Sequence, residues 1–180
     1  MAKHIYTLGL SKIQTGAVGC ADNALASDGY TYQDTAQMVT NDPTVTDFFA
    51  EEVDDPVVSI ERAGTIQFNW SIMDPTPDIL VKYIGGTASK SVETLPDNDQ
   101  WEPPTSAQVI EKRVVLTPQQ GLKFDVARMR IRAKLNGNFS KSALLLLEVQ
   151  GTVLIPETDG TAKLKASIVS AAAAASASNT

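Results

Sequence analysis

The sequence predicts a mainly β domain, a sandwich or barrel, with one short α-helix at about residues 76–84 packed at its side. Three observations carry this. Ile66, Phe68, Trp70 and Ile72 alternate with Thr65, Gln67, Asn69 and Ser71, the period-two pattern of a strand with one face buried. Thr76-Pro77-Asp78 then changes the period, and Gly85-Gly86 closes the segment it opens. Residues 121–156 read as a long terminal hairpin, with either a tight turn at Asn136-Gly137 or a bulge there and the strand extended to Phe139. A chain of 180 residues that is 43% hydrophobic and 20% charged suits one globular domain with a sizeable core. The domain is expected over 1–162, with 163–180 as an Ala/Ser-rich C-terminal tail.

In order along the chain, residues 3–8 read as a first strand, and Ser11–Val18 as its partner across Gly9-Leu10. Gly19–Gly29 is rich in Ala, Asp, Asn and Ser and reads as a loop of unusual length. Tyr30–Thr40 returns to strand composition with neither face strongly apolar. Asn41-Asp42-Pro43 is a turn signal, and Thr44–Val53 follows as a strand with Phe48 and Phe49 in its middle. Val57–Glu61 and Gly64–Met73 are the next strands. In the helix, Thr76 is the expected N-cap, Pro77 is tolerated at the first position, and Asp78 complements the positive helix end. Ile79, Leu80, Tyr83 and Ile84 form its apolar face. Glycine after a helix accepts the left-handed conformation, so Gly85-Gly86 ends it.

Thr87–Thr105 is polar and carries Pro96, Pro103 and Pro104. A strand is expected at Ser89–Thr94 and a loop at Asp97–Glu102, with Trp101 pinning it to the surface. Gln108–Leu116 is β-branched, and Thr117-Pro118-Gln119-Gln120-Gly121 reads as a turn into the terminal hairpin. Within that hairpin Arg128, Arg130, Arg132 and Lys134 fall on one face, with Met129, Ile131, Ala133 and Leu135 on the other. Met129, Ile131 and Leu135 are the expected core members. Leu144–Ile155 is the second strand, and Pro156 ends it. The alanines of the tail favour helix locally but not a stable one. Either the tail frays or it is an arm that orders only in an assembly.

Composition removes several classes of chemistry. The net charge is −6, without the basic excess of a protein that grips nucleic acid. Cys20 and His4 are each the single residue of their kind, so no intrachain disulfide, no Cys/His zinc site and no well-supported nucleophilic triad is expected. The N-terminus has no signal-peptide pattern, and no apolar run is long enough to span a bilayer, so membrane insertion is not expected. No catalytic residue, cofactor or metal is assigned.

Asp47, Glu51, Glu52, Asp54 and Asp55 form an acidic run of opposite sign to the row Arg128, Arg130, Arg132 and Lys134. The run reads as a solvated strand end, as one half of a contact with a basic row on a neighbour, or as a divalent-cation site, although it lacks EF-hand spacing. A head-to-tail ring needs two different complementary patches per subunit, and these nine residues are the subunit-interface candidates. Exposed ion pairs are weak, so they would set register while apolar burial supplies the affinity.

Taken together, Phe48–Gly86 resembles the tail tube (major tail) proteins of long-tailed bacteriophages. The core of the likeness is the segment Ile66-Gln-Phe-Asn-Trp-Ser-Ile-Met-Asp-Pro-Thr-Pro-Asp-Ile-Leu-Val-Lys-Tyr-Ile-Gly-Gly86. The acidic Glu51-Glu52-Val53-Asp54-Asp55-Pro56 and the closing strands, ending in Gly151-Thr-Val-Leu-Ile-Pro156, fit the same pattern, so the likeness covers roughly 45–156. It implies a tail-tube-like fold and a structural virion protein, made in the host cytoplasm. Its homohexameric rings would stack into the hollow tail tube through which the genome is ejected. It also implies tape measure and tail-end proteins as partners, DNA passing through the lumen without specific binding, and no catalytic residues. Related rings in contractile tails and secretion-type injection machines share this physics and are the alternative. A ligand-binding sandwich with Trp70, Trp101, Tyr30 and Tyr32 as an aromatic platform is a further rival. An enzyme using Asp54 and Asp55 is disfavoured, because adjacent strand residues point to opposite faces.

Overall fold

The structure is a computed structural model and describes residues 5–89, 99–138, 140–141 and 143–169. It is mainly β, with a curled half-barrel sheet and, among the described residues, one α-helix. The strands are β1 (Leu8–Gly16), β2 (Ala26–Ser27), β3 (Gln37–Thr40), β4 (Thr44–Ala50), β5 (Val53–Arg62), β6 (Ile66–Ile72), β7 (Thr87–Ser89), β8 (Gln100–Glu102), β9 (Ile110–Asn136), β10 (Leu146–Val153) and β11 (Leu164–Val169), and the helix is α1 (Pro77–Tyr83). The main sheet runs β2-β1-β9-β10-β6-β3, with β11 also on β9. β4 pairs with β5, and β7 with β8, as separate two-stranded sheets.

β9 organises the sheet. Its residues 113–120 pair with β1, 121–126 with β11 and 129–136 with β10, all antiparallel. A straight strand of 27 residues would run about 90 Å, whereas a compact domain of this length has a radius of gyration of about 16 Å. So β9 has to turn, and the residues that read as a hairpin loop at 117–121 serve that purpose inside a continuous strand. Pro118 lacks an N–H, and opposite it the register of β1 shifts between Leu10 and Lys12. Gly121 has φ +102°, and a Cβ there would lie 2.4 Å from Thr7 Cα. Gly9, at φ +62°, is likewise not a hairpin turn but part of β1. The strand expected at 3–8 is therefore not formed over residues 5–7; only Leu8 joins β1, which runs on through most of the expected partner to Gly16, and residues 3 and 4 lie outside the described residues.

Cross-strand rows separate the two faces of the sheet. Gln37, Asn69, Gln150 and Arg132 are successive partners across β3, β6, β10 and β9, and Ser71, Glu148 and Lys134 make a parallel polar row. The neighbouring rows, Phe68-Gly151-Ile131 and Trp70-Val149-Ala133, face the core, and Met38 extends the first of them to an exposed position on β3. Phe68, Trp70, Ile72, Met129 and Leu147 are essentially fully buried, each contributing roughly 2–3 kcal/mol through apolar burial. Gly151 leaves room for Met129, whose Sδ lies 2.1 Å from where a Cβ would be. The core expectation holds for Met129 and Ile131, but Leu135, one residue from the end of β9, is 39% exposed.

The helix is built as its sequence dictates. Thr76 Oγ1 accepts from Ile79 N, Pro77 stands at the first turn, and Gly85 and Gly86 follow at φ +93° and +94°. Leu80 and Tyr83 are buried, and Tyr83 packs edge-on against Trp70 with ring centroids 6.3 Å apart. Trp101 is not in a loop but in β8, and its indole N–H donates to Gly85 O at 2.9 Å. The strand expected at Ser89–Thr94 lies mostly outside the described residues. Tyr30–Thr40 is a strand only from Gln37; before it, Thr31 makes an isolated bridge to Ile72. The tight turn expected at Asn136-Gly137 does not form: Asn136 is still paired with Leu146 as the last residue of β9, and Gly137 lies outside any turn. Leu164–Val169, placed by composition in the tail, belongs to the main sheet as β11.

Candidate assembly surfaces

β4 and β5 form a hairpin that, among the described residues, pairs only with itself. Every residue of β5, and all of β4 except Ala50, is exposed. Phe48 faces Val58 across the ladder and Thr46 faces Ile60, so these four share a face. Asp47 faces Ser59 and Val45 faces Glu61 on the other side, where Ser59 Oγ donates to Asp47 Oδ1 at 2.5 Å. Past Phe48 the register shifts, and Phe49 stands opposite Pro56 near the tip. Phe48, Phe49, Val57, Val58 and Ile60 are each 48–63% exposed. An amphipathic two-stranded ribbon is at best marginally stable in water, and an apolar face of this kind marks an interaction surface.

All five acidic candidates lie on this arm: Asp47 on β4, Glu51 and Glu52 at the turn, Asp54 and Asp55 on β5. No ion pair involving them is found among the described residues. The same residues contain no cluster of three or more His, Cys, Asp or Glu able to hold a metal ion.

The basic row is placed differently. Arg128 Nε donates to Glu111 Oε2 at 2.6 Å, and its other end reaches Glu157 at 3.4 Å. The hydrogen bond to Glu111 holds the Arg128 guanidinium above its ordinary pKa. Arg130 lies 4.0 Å from the same Glu111. Lys134 reaches Glu148 at 2.9 Å, and the Asn136 amide, with Lys134, holds the Glu148 carboxyl below the usual range. Three of the four cations are thus matched within their own subunit. Arg132 alone has no ion pair among the described residues; it lines a polar groove of about 550 Å³ with Asp34, Asn69, Lys134, Glu148 and Gln150. The acidic and basic candidates are therefore not brought together within one chain, and the row is less free to meet a neighbour than its sequence spacing implied.

A polar cluster that sequence spacing did not single out fixes the long loop after β1. Asp28 is 3% exposed. It accepts from Thr15 Oγ1 at 3.1 Å and Tyr83 OH at 2.7 Å, and pairs with Lys82. Burial, then the Asp28 charge, pushes the Tyr83 hydroxyl well above its ordinary pKa. On the other side of the loop Arg113 makes a two-pronged contact to Asp125 at 3.1 and 2.6 Å and also donates to Cys20 O and Asp22 Oδ1. The Asp125 hydrogen bonds raise the Arg113 pKa, and the Arg113 hydrogen bond holds the Asp22 carboxyl low. These anchors tie the polar loop to β1, the helix and β9.

The four aromatic residues do not form a platform. Trp70 is core, Trp101 is tied to the helix end, and Tyr30 and Tyr32 are exposed on the segment before β3. Asp54 and Asp55 lie side by side on the exposed ribbon. A larger cleft of about 710 Å³ opens between the start of β1, residues 29–38 and the middle of β9. No protein-family model matches the chain, and no curated protein matches it.

Proposed function

We propose that this chain is a structural virion protein that self-assembles into stacked homohexameric rings, forming the hollow tail tube through which a bacteriophage genome is ejected. The observation that carries the reading is the β4–β5 arm: a ribbon that, among the described residues, is paired with itself alone, with an apolar face open to solvent and five carboxylates that make no ion pair there. Such a ribbon reaches full stability by burying Phe48, Val58 and Ile60 against another surface. The half-barrel sheet ends in short edge strands, β2 and β3, and a closed ring covers edges of this kind. A net charge of −6 suits a conduit that does not retain phosphates. DNA, the tape measure and the tail-end proteins are the partners that follow from the reading.

Electron microscopy of the purified protein, with mass measured in parallel by light scattering, tests it. Rings or tubes with a central hole are expected at high protein concentration. Replacing Phe48 and Phe49 with Ser is expected to leave the fold within about 0.5 kcal/mol of the parent, since both are surface positions, while abolishing those particles. A parent protein that stays monomeric at high concentration and low salt overturns the reading.

A further inference from the structure

We infer that the cleft between β1, β3 and β9 is the seat for the arm tip of a second copy of this chain, with Phe49 and Phe48 entering it. The inference rests on the self-assembling reading above and adds the partner surface. The cleft is lined by Leu10, Met38, Phe68, Leu116, Leu122 and Phe124, and the Phe68 and Phe124 rings lie 6.0 Å apart. Its volume of about 710 Å³ is that of a ligand-sized pocket and has room for two phenylalanine rings. Lys12 and Asp34 are the charged residues lining it, so apolar burial supplies the contact and Lys12 offers one partner to the acidic tip.

The occupant is another copy because the arm is not seated on its own body: β4 and β5 pair with each other, and Phe48 and Phe49 are 52% and 63% exposed. At its root Asn41 N donates to Thr65 O at 2.9 Å, and Asn41 Nδ2 donates to Thr65 Oγ1 at 2.8 Å. Gly64 lies so close to the Asn41 carbonyl that a Cβ there would sit 1.6 Å from its oxygen. The ribbon leaves this clamp as β4, seven residues long, or about 23 Å of strand. An apolar projection and an apolar cleft at different places on one chain are the two unlike patches that a head-to-tail assembly joins. One contact then covers both exposed surfaces at once.

The test places two cysteines in a Cys20→Ser background: Phe49→Cys on the arm with Met38→Cys in the cleft. A short bismaleimide is then applied to assembled protein. Covalent dimers and higher multimers are expected, whereas the pair Phe49→Cys with Ile155→Cys, which is exposed outside the cleft, gives none. Particles that form but cross-link at neither pair, or only through Ile155, overturn the seat and leave the tube reading standing. A cross-link confined to monomers means that the arm folds back on its own cleft and also overturns it. No particles at all overturns both. A mixing experiment is independent of cross-linking chemistry. Phe49→Asp and Met38→Asp, each checked for a native far-UV spectrum, are expected to be monomeric alone and to form dimers, not rings, when mixed. Mixtures that stay monomeric, while each variant keeps its fold, overturn the pairing.

Discussion

The hydroxyl of Tyr83 donates to Asp28 Oδ2 at 2.7 Å, joining the end of the helix to a loop 55 residues earlier in the chain. Lys82 and Thr15 complete the shell around the same carboxylate, which is 3% exposed. Asp28 is thus the point at which β1, the loop and the helix are held together.

Removing Asp28 leaves a lysine, a phenol and a hydroxyl facing an apolar wall. Asp28→Ala is expected to destabilise the fold by about 3 kcal/mol, lowering Tm by about 6–12 °C for a chain of this size. Thermal unfolding followed by tryptophan fluorescence checks this. A loss below 1 kcal/mol would mean that the loop does not depend on the cluster.

Alkaline pH offers a second handle on the same cluster. The Tyr83 pKa is raised in the folded state by burial and by the Asp28 charge. Above pH 10 the unfolded chain therefore releases this proton while the folded chain keeps it, and stability falls as pH rises. The contribution is complete below the ordinary tyrosine pKa and is lost on the way to the raised folded value. Tyr83→Phe removes this slope. Urea unfolding at pH 9, 10 and 11 is expected to show a shallower decline for the variant than for the parent.

The basic row gives a charge-reversal prediction. Arg130 and Arg132 are exposed, and among the described residues only Arg130 has an ion-pair partner, a distant one. Arg130→Glu with Arg132→Glu is expected to shift Tm by less than about 2 °C. On the tube reading, the same change slows ring formation most at low salt, because unscreened charges act on encounter and register. Light scattering at two salt concentrations separates these effects. Unchanged assembly kinetics would make the row a solvated face.

Gly121 is the fourth position to probe. With φ at +102° and Thr7 Cα in the way, Gly121→Ala is expected to cost about 2–3 kcal/mol through backbone strain and displacement of β1. Denaturant unfolding measures the cost. A neutral outcome would show that β9 can turn without glycine.

The parts of the fold legible in the sequence are those whose determinants are local. The Thr76 cap, Pro77, the helix face and the glycine pair all lie within one short window, and β6 carries its burial pattern in its own alternation. The 117–121 segment was misleading for the converse reason. Proline and glycine signal departure from a regular strand, but whether the result is a hairpin or a bend depends on β1, a hundred residues away. The candidate interface divided along the same line. The acidic residues are contiguous, and the structure keeps them together on the arm. The basic row looked unpaired because Glu111, Glu148 and Glu157 are scattered singly through the sequence and meet it only through the register of the sheet. Asp28 had no local signal at all, since Lys82 and Tyr83 reach it only after the helix docks.

β9 has a consequence for the order of events during synthesis. Its partners come from residues 8–16 and from residues 146–169, so the sheet is not finished until the last of these has left the ribosome. Contacts this distant in sequence form slowly, and an incomplete sheet exposes unpaired backbone. A nascent chain therefore presents its arm from residue 62 onward but lacks the completed middle of β9. On the tube reading, emission of β11 would time when a newly made subunit becomes competent to join others.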